Sequence, residues 1–284
     1  MSWYRHWEGS FHVKHAVPER KGSWEKAIAI AVVNQKGGVG KTTTTISLAA
    51  SLVEQGYRVL LIDADPQGNA GSGAGIERKD EQVTLYDVLV NEAEVQEAMV
   101  PTESGVIVLP STMDLAAAEI ELVSAMGREY RLRDALIPLL DEIDVILIDC
   151  PPSLGLLTIN ALCAADAVLI PVQAEYFALE GLGALQQNLS LVRRHLNAQL
   201  YTLGVVMTMV DTRTKLATAV EDDVRGYFGD MVFSARIPRT VRLAEAPSFA
   251  QPITVFDSPS RGAMAYRRLA AEVIERINLW KGQG

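Results

Sequence analysis

Residues 27–56 read AIAIAVVNQKGGVGKTTTTISLAASLVEQG, and this stretch decides the fold. Residues 27–34 form a short apolar, β-rich run, which predicts a buried strand. Residues 42–55 carry apolar residues at helical spacing, and Gly56 stands where that helix should stop. Between them lies a glycine-rich turn that ends on Lys41 and Thr42. A strand, such a turn and a helix opening on Lys-Thr fit the pattern G-x-x-x-x-G-K-[ST], in which backbone N–H groups and a helix N-terminus cradle phosphates. Two positions depart from it. Gln35 occupies the place of the first glycine, and Lys36 is a second lysine where only a neutral spacer is required.

Further along, short apolar runs recur: YRVLLIDAD, GVIVLP, DVILIDCPP, AVLIPV, YTLGVVMTMV and VFSARIP. Stretches of helical spacing separate them, among them DLAAAEIELVSAM and LEGLGALQQNLSLVRRHL. Continuous apolar strands alternating with helices predict an α/β fold: one doubly wound, mostly parallel sheet with helices on both faces. No repeat or change of composition divides residues 27–284, so they are expected to form a single domain. Residues 1–26 are polar and aperiodic and are expected to be a disordered or weakly ordered tail, although they hold Trp3, Trp7 and Trp24.

Ligands of such sheets bind beyond the carboxyl ends of the strands, so strand-end residues carry the chemistry. Gly37, Gly38 and Gly40 allow close approach of the backbone to phosphate oxygens. Lys41 would reach the β- and γ-phosphates, the Thr42 hydroxyl would ligate Mg²⁺, and Thr43 could donate to the α-phosphate. Asp63 and Asp65 share one strand face by their spacing, so one can sit near Mg²⁺ while the other orients an attacking water. Asp149 ends a further apolar strand and is expected to partner Mg²⁺ through water.

The 284 residues carry a formal net charge of −9, unevenly distributed. Residues 27–189 contain 8 Lys and Arg against 23 Asp and Glu, whereas residues 190–284 contain 13 against 9. A basic final third on an acidic body can place a polyanion contact on one face, or be no more than an uneven solvated surface. No apolar run reaches membrane-spanning length, and the first 15 residues lack a signal-peptide core. The two cysteines, Cys150 and Cys163, match no zinc or redox spacing and read as buried thiols of a reducing cytosol.

KGGVGKTT, DADPQGN and DCPPSLGLLTINAL together resemble the deviant Walker A ATPases of the ParA/MinD superfamily. PVQAEYFALEGL, MVDTRT and IPRTVRLAEAPS narrow the resemblance to the chromosome-partitioning ParA (Soj) branch, from about Ala27 to the last helix. It implies a Mg²⁺-dependent ATPase that binds ATP and ADP through Lys36, Gly37, Gly38, Val39, Gly40, Lys41, Thr42 and Thr43. It further implies that Lys36 crosses a homodimer interface to the phosphates of the other subunit. By the same resemblance Asp65 is the hydrolytic aspartate, Asp63 and Asp149 join Thr42 around the metal, and Pro238 and Thr240 edge the adenine pocket. There the chain reads PRTVR where the family often has PRNVR, so Thr240 lacks the amide that could read the base. Arg213 and Arg242 match positions that bind double-stranded DNA without sequence preference. The implied partner is a ParB-type centromere-binding protein, and the implied location is cytoplasmic and nucleoid-associated.

Three alternatives remain beside this reading. A MinD-like membrane ATPase needs a basic amphipathic tail, but Glu272 and Glu275 lie in the last helix and only KGQG follows it. A metabolic P-loop phosphotransferase would not need Lys36. An electron-transfer relative needs paired cysteines on a dimer axis. The tail carries one more reading: Phe11–His15 (FHVKH) is compatible with the inverted repeat TTTCACGTGAAA, the centre of the parS element that ParB binds in the family. That makes the codons of residues 10–15, more than their side chains, the expected constraint.

Overall fold

The computed structural model describes residues 21, 24–77, 82–175, 178–211 and 213–282. Residues 10–15, and with them the codon-level reading, lie outside the described residues. In chain order the strands and α-helices are β1 (Ile28–Val32), α1 (Lys41–Glu54), β2 (Val59–Asp63), α2 (Asn69–Gly73), α3 (Leu85–Val90), β3 (Val100–Pro101), β4 (Ile107–Leu109), α4 (Leu115–Glu121), α5 (Arg131–Leu136) and β5 (Val145–Asp149). There follow α6 (Leu156–Ala164), β6 (Ala167–Gln173), α7 (Ala178–His195), β7 (Tyr201–Val210), α8 (Lys215–Phe228), β8 (Val232–Pro238), α9 (Val241–Glu245), α10 (Ile253–Phe256) and α11 (Arg261–Lys281).

The eight strands form one sheet in the order β3-β4-β2-β5-β1-β6-β7-β8. Every pairing is parallel except β3 with β4, where Val100 faces Val108 and Pro101 faces Ile107. The doubly wound sheet expected from the apolar runs is therefore observed. The antiparallel β3 was not expected, because two residues leave no periodicity to read.

Strand alternation sorts the core into two layers. Along β1, Ala29 and Ala31 join the layer built by α3–α8, while Ile28, Ile30 and Val32 join the one built by α1, α2 and α9–α11. Each of those three larger side chains is wholly buried, which stabilises the fold by about 1.5–3 kcal/mol apiece. Small residues face one layer and branched ones the other, so a slip of one residue in β1 would misfit both.

Within the stretch read as tail, Trp24 is packed on the body. Its ring stacks on Tyr57 with centroids 6.0 Å apart, and its Nε1 donates to Asn278 Oδ1 in α11 at 3.0 Å.

The chain leaves β1 with β5 on one side and β6 on the other. Connections therefore depart in opposite directions around β1 and open a crevice at its carboxyl end. The loop 33–40 enters that crevice, and Asp63, Asp149 and Gln173 end the strands around it.

Candidate functional site

Gly38 and Gly40 have φ of +75° and +88°, left-handed values that side chains other than glycine rarely tolerate. These two residues turn the loop so that α1 begins at Lys41. Gly40 caps the helix without a side-chain acceptor, and no acidic residue occupies the first turn. The first N–H groups of α1 are thus left for an outside anion, favoured there by the helix dipole. Asn34 braces the loop from below: its Nδ2 donates to Pro171 O at 2.8 Å, and its Oδ1 accepts from Lys36 N at 3.0 Å.

The two lysines point into different surroundings. Lys41 is only 7% exposed, and its Nζ lies 3.5 Å from Lys36 O, across the mouth of the loop. Burial pulls its pKa below the ordinary lysine value, while the charges of Asp149 and Asp65 act in the opposite sense. Lys36 lies outside. Its Nζ donates to Glu175 Oε2 at 2.9 Å, with both side chains more than two-fifths exposed.

Behind Lys41 stands a pair of buried carboxylates. Asp63 and Asp149 are register partners on β2 and β5, and neither is exposed to solvent. Burial pushes both carboxyls up from the ordinary aspartate value, and Asp63 raises Asp149 further. Asp149 Oδ1 accepts from Thr45 Oγ1 at 3.0 Å, and the nearby Thr42 and Thr45 hydroxyls partly offset the upward push on this carboxyl. Asp149 Oδ2 is buried without a hydrogen-bond partner. An unpartnered buried carboxylate oxygen beside a threonine hydroxyl is the donor set a small hard cation takes, so Thr42 and Asp149 fit Mg²⁺.

Asp63 is placed differently from Asp65. Its Oδ1 accepts from Asp65 N at 3.2 Å and its Oδ2 from Gly71 N at 2.8 Å. It thereby holds the turn that follows β2, with both oxygens already engaged by backbone amides. The common strand face inferred from spacing does not extend this far, because β2 ends at Asp63 and Asp65 lies in the turn. Asp65 is half-buried; its Oδ1 accepts from Gln67 N, and Ser111 Oγ donates to its carbonyl at 2.6 Å.

Pro238 and Thr240 close β8, one strand beyond β7. Pro238 pairs with Val210, while the Thr240 hydroxyl accepts from Leu243 N at 3.3 Å as the cap of α9. Arg213 and Arg242 follow the carboxyl ends of the adjacent strands β7 and β8, and both already hold carboxylates. Arg213 is doubly bonded to Asp211, and Arg242 lies 3.3 Å from Asp257 and 3.4 Å from Glu245.

Four further residues belong to the site, three of them without a sequence signal. Thr208, buried in β7, donates to Val39 O at 2.7 Å and so ties the phosphate loop to a strand 169 residues away. Next to it Met209 has φ +53°, unusual for an unbranched side chain inside a strand. Its Cε and the Thr208 methyl lie 3.9–4.0 Å from where a Cβ on Gly40 would fall. Glu175 and Thr45 are the other two. Thr45 alone was within reach of the motif, one helical turn after Lys41. Cys150 and Cys163 are free and buried, and burial pushes both thiols up. Among the described residues, no cluster of three or more His, Cys, Asp or Glu is placed to hold a metal.

The profile of a family described as an AAA domain matches residues 27–202. The chain is 53% identical over 248 residues to the "Chromosome partitioning protein ParA" of Myxococcus xanthus, covering 87% of this chain and 88% of that protein. It is 54% identical over 245 residues to the "Sporulation initiation inhibitor protein Soj" of Bacillus subtilis, covering 86% and 97%. Among solved structures, one described as cobyrinic acid a,c-diamide synthase from Mycobacterium smegmatis, with bound ADP and magnesium, is 39% identical with a TM-score of 0.78. The match covers 91% of this chain and 97% of that one. The cell division ATPase MinD of Pyrococcus furiosus is 29% identical, with a TM-score of 0.72 over 88% and 99% of the two chains. The phosphate loop, the paired aspartates behind it and these likenesses meet in one conclusion: the chain belongs to the ParA/Soj family of P-loop ATPases, within the ParA/MinD superfamily.

Proposed function

We propose that this protein is a chromosome-partitioning ATPase, which dimerises on ATP, adheres to nucleoid DNA without sequence preference, and is released when a ParB-type partner stimulates hydrolysis. The observation that carries this reading is the division between the two lysines. Lys41 faces into the loop, as nucleotide binding alone requires. Lys36 stands outside, held only by an exposed pair with Glu175, where it can meet the phosphates of a second subunit.

In this reading, Lys41 and the N–H groups opening α1 hold the β- and γ-phosphates. Thr42 and Asp149 hold Mg²⁺, which when bound neutralises charge developing on the phosphoryl oxygens. Asp65 orients the attacking water, whereas Asp63 shapes the turn that carries Asp65. Thr45 fixes the Asp149 rotamer. Pro238 edges the adenine pocket, and Thr240 serves as a helix cap. Exposed apolar side chains in and beside α4 support pairing of copies: Met113, Ile120 and Val123 are exposed, and Met113 Sδ lies 3.7 Å from Gln67 Nε2, two residues from Asp65.

A titration of arbitrary-sequence duplex with ATP, with ADP and without nucleotide tests the proposal. Retention only with ATP is expected; retention indifferent to nucleotide would sink it. The diamide-synthase name of the 39% identical structure keeps a small-molecule enzyme as the competing reading. That reading requires turnover of a small substrate that DNA leaves unchanged. Among the described residues, no helix is long and apolar enough to cross a membrane.

A further inference from the structure

Arg213 has the exposure expected of a phosphate-binding residue, with 87% of its side chain in solvent, yet its guanidinium is already occupied. Its Nε donates to Asp211 Oδ1 at 2.9 Å and its Nη2 to Asp211 Oδ2 at 2.7 Å. This is the two-pronged geometry by which a guanidinium takes a phosphate, with the carboxylate in the phosphate's place.

The carboxylate is held where it is by the loop as well as by the arginine. Asp211 Oδ1 also accepts from Arg213 N at 3.1 Å, and the Asp211 carbonyl accepts from Thr214 N and Thr214 Oγ1. Hydrogen bonds from Arg213, with the charges of Arg213 and Arg239 beside it, hold the Asp211 carboxyl down at about 2. The clasp is therefore ionised at neutral pH. Arg239 approaches from the next strand, its backbone N–H bonded to Val210 O at 3.2 Å, and its side chain is exposed.

We propose that Asp211 is a built-in competitor for nucleic-acid phosphate, which closes the Arg213 fork until DNA displaces it. The inference rests on the DNA-binding reading above and concerns how that surface is regulated. An exposed ion pair is weak, so the clasp cannot exclude DNA. It can lower, by a few-fold, the occupancy of weakly held ligands that offer one phosphate at a time. A duplex presents a row of phosphates and can engage Arg213 and Arg239 together, offsetting the loss of the clasp with two contacts and released counterions. Free nucleotides and inorganic phosphate have no such second contact. Asp211 thereby sets a threshold that favours a polyanion over abundant small anions.

The test is a double-mutant cycle on the full chain with ATP, using duplex of arbitrary sequence. Asp211→Asn should tighten DNA retention by about two- to fivefold, the range spanned by an exposed ion pair. In the Arg213→Ala background the same substitution should gain nothing. It should also let inorganic phosphate compete with DNA at lower concentration than it does with the wild type. Asp211→Ser removes the charge but keeps an oxygen that can accept the turn's N–H, and it should behave like Asp211→Asn. Unchanged thermal midpoints check that each variant is folded. Equal gains in both arginine backgrounds would mean that only net charge matters, and would overturn the proposal. Weaker binding by both Asp211 variants would mean that Asp211 presents Arg213, and would overturn it too. A wild type that retains no DNA with ATP would instead overturn the DNA reading itself.

Discussion

Lys41 has given up nearly all its water and is drawn toward Asp149 and Asp65, whereas Lys36 leans on Glu175 at the surface. Lys41→Ala should consequently lose nucleotide affinity, by tenfold or more at about 1.4 kcal/mol per decade. Lys36→Ala should keep monomer affinity and lose ATP-driven dimerisation. Equilibrium nucleotide binding and sizing chromatography separate the two, and identical behaviour would refute the division. Glu175→Gln releases Lys36 from an exposed pair worth about 0–1 kcal/mol, so dimers should form at the same or slightly lower ATP concentration. The aspartates behave differently. Asp149 has been desolvated opposite Asp63, and its Oδ2 has no partner. Asp149→Asn should relieve that repulsion where the carboxyl is ionised, above about pH 8, and there raise the nucleotide-free melting temperature by about 2–4 °C for each kcal/mol recovered. The same change should weaken Mg²⁺-dependent nucleotide binding. A lower melting temperature would mean that the pair is not strained.

At the scale of elements, β7 does more than complete the sheet. It carries Thr208 under the phosphate loop and runs directly into the Asp211–Arg213 clasp. Thr208→Val keeps the shape but leaves the buried Val39 carbonyl without its donor, a cost of about 1–3 kcal/mol. Nucleotide affinity should fall several-fold with the fold intact, as isothermal calorimetry and circular dichroism would reveal. Unchanged affinity would show that the loop does not depend on this strand. None of this could be read along the chain, because Thr208 and Val39 are 169 residues apart. What could be read was local. The runs at 27–33 and 145–148 are apolar without interruption because both faces of a central strand are covered, and that made the sheet legible. The glycines and Lys-Thr of the loop were legible because a phosphate cradle leaves few choices at those positions. The strand face that spacing gives Asp63 and Asp65 in common is not formed, because spacing describes a strand, and the strand stops at Asp63. Lys36 was legible as an anomaly, but Glu175 was not, since its contact is made by folding.

Across the whole molecule, charge and architecture divide along the same line. The acidic residues 27–189 build β1–β6, while the basic final third supplies β7, β8 and the helices around them. Arg213 and Arg242 leave the carboxyl ends of these last two strands, so the fold gathers at one edge what composition only suggested. Arg242 is the more encumbered, between Glu245 and Asp257 and 5.7 Å from the Phe256 ring. Arg242→Glu would set a third carboxylate among those two and, on the proposed DNA-binding reading, remove a phosphate contact at the same time. DNA retention with ATP should be lost, while ATP-dependent dimerisation, which the proposed function assigns to Lys36, should persist. The milder Arg242→Ala should bind DNA with a reduced salt dependence. The slope of log K against log salt should become shallower by about 0.9 for each phosphate contact removed, hence by about twice that in a dimer. Sequence preference should be absent in the wild type and in Arg242→Ala alike, because contacts to phosphates carry none. An unaltered slope in Arg242→Ala, with full retention by Arg242→Glu, would show that Arg242 is a structural ion pair and that the DNA surface lies elsewhere in residues 190–284.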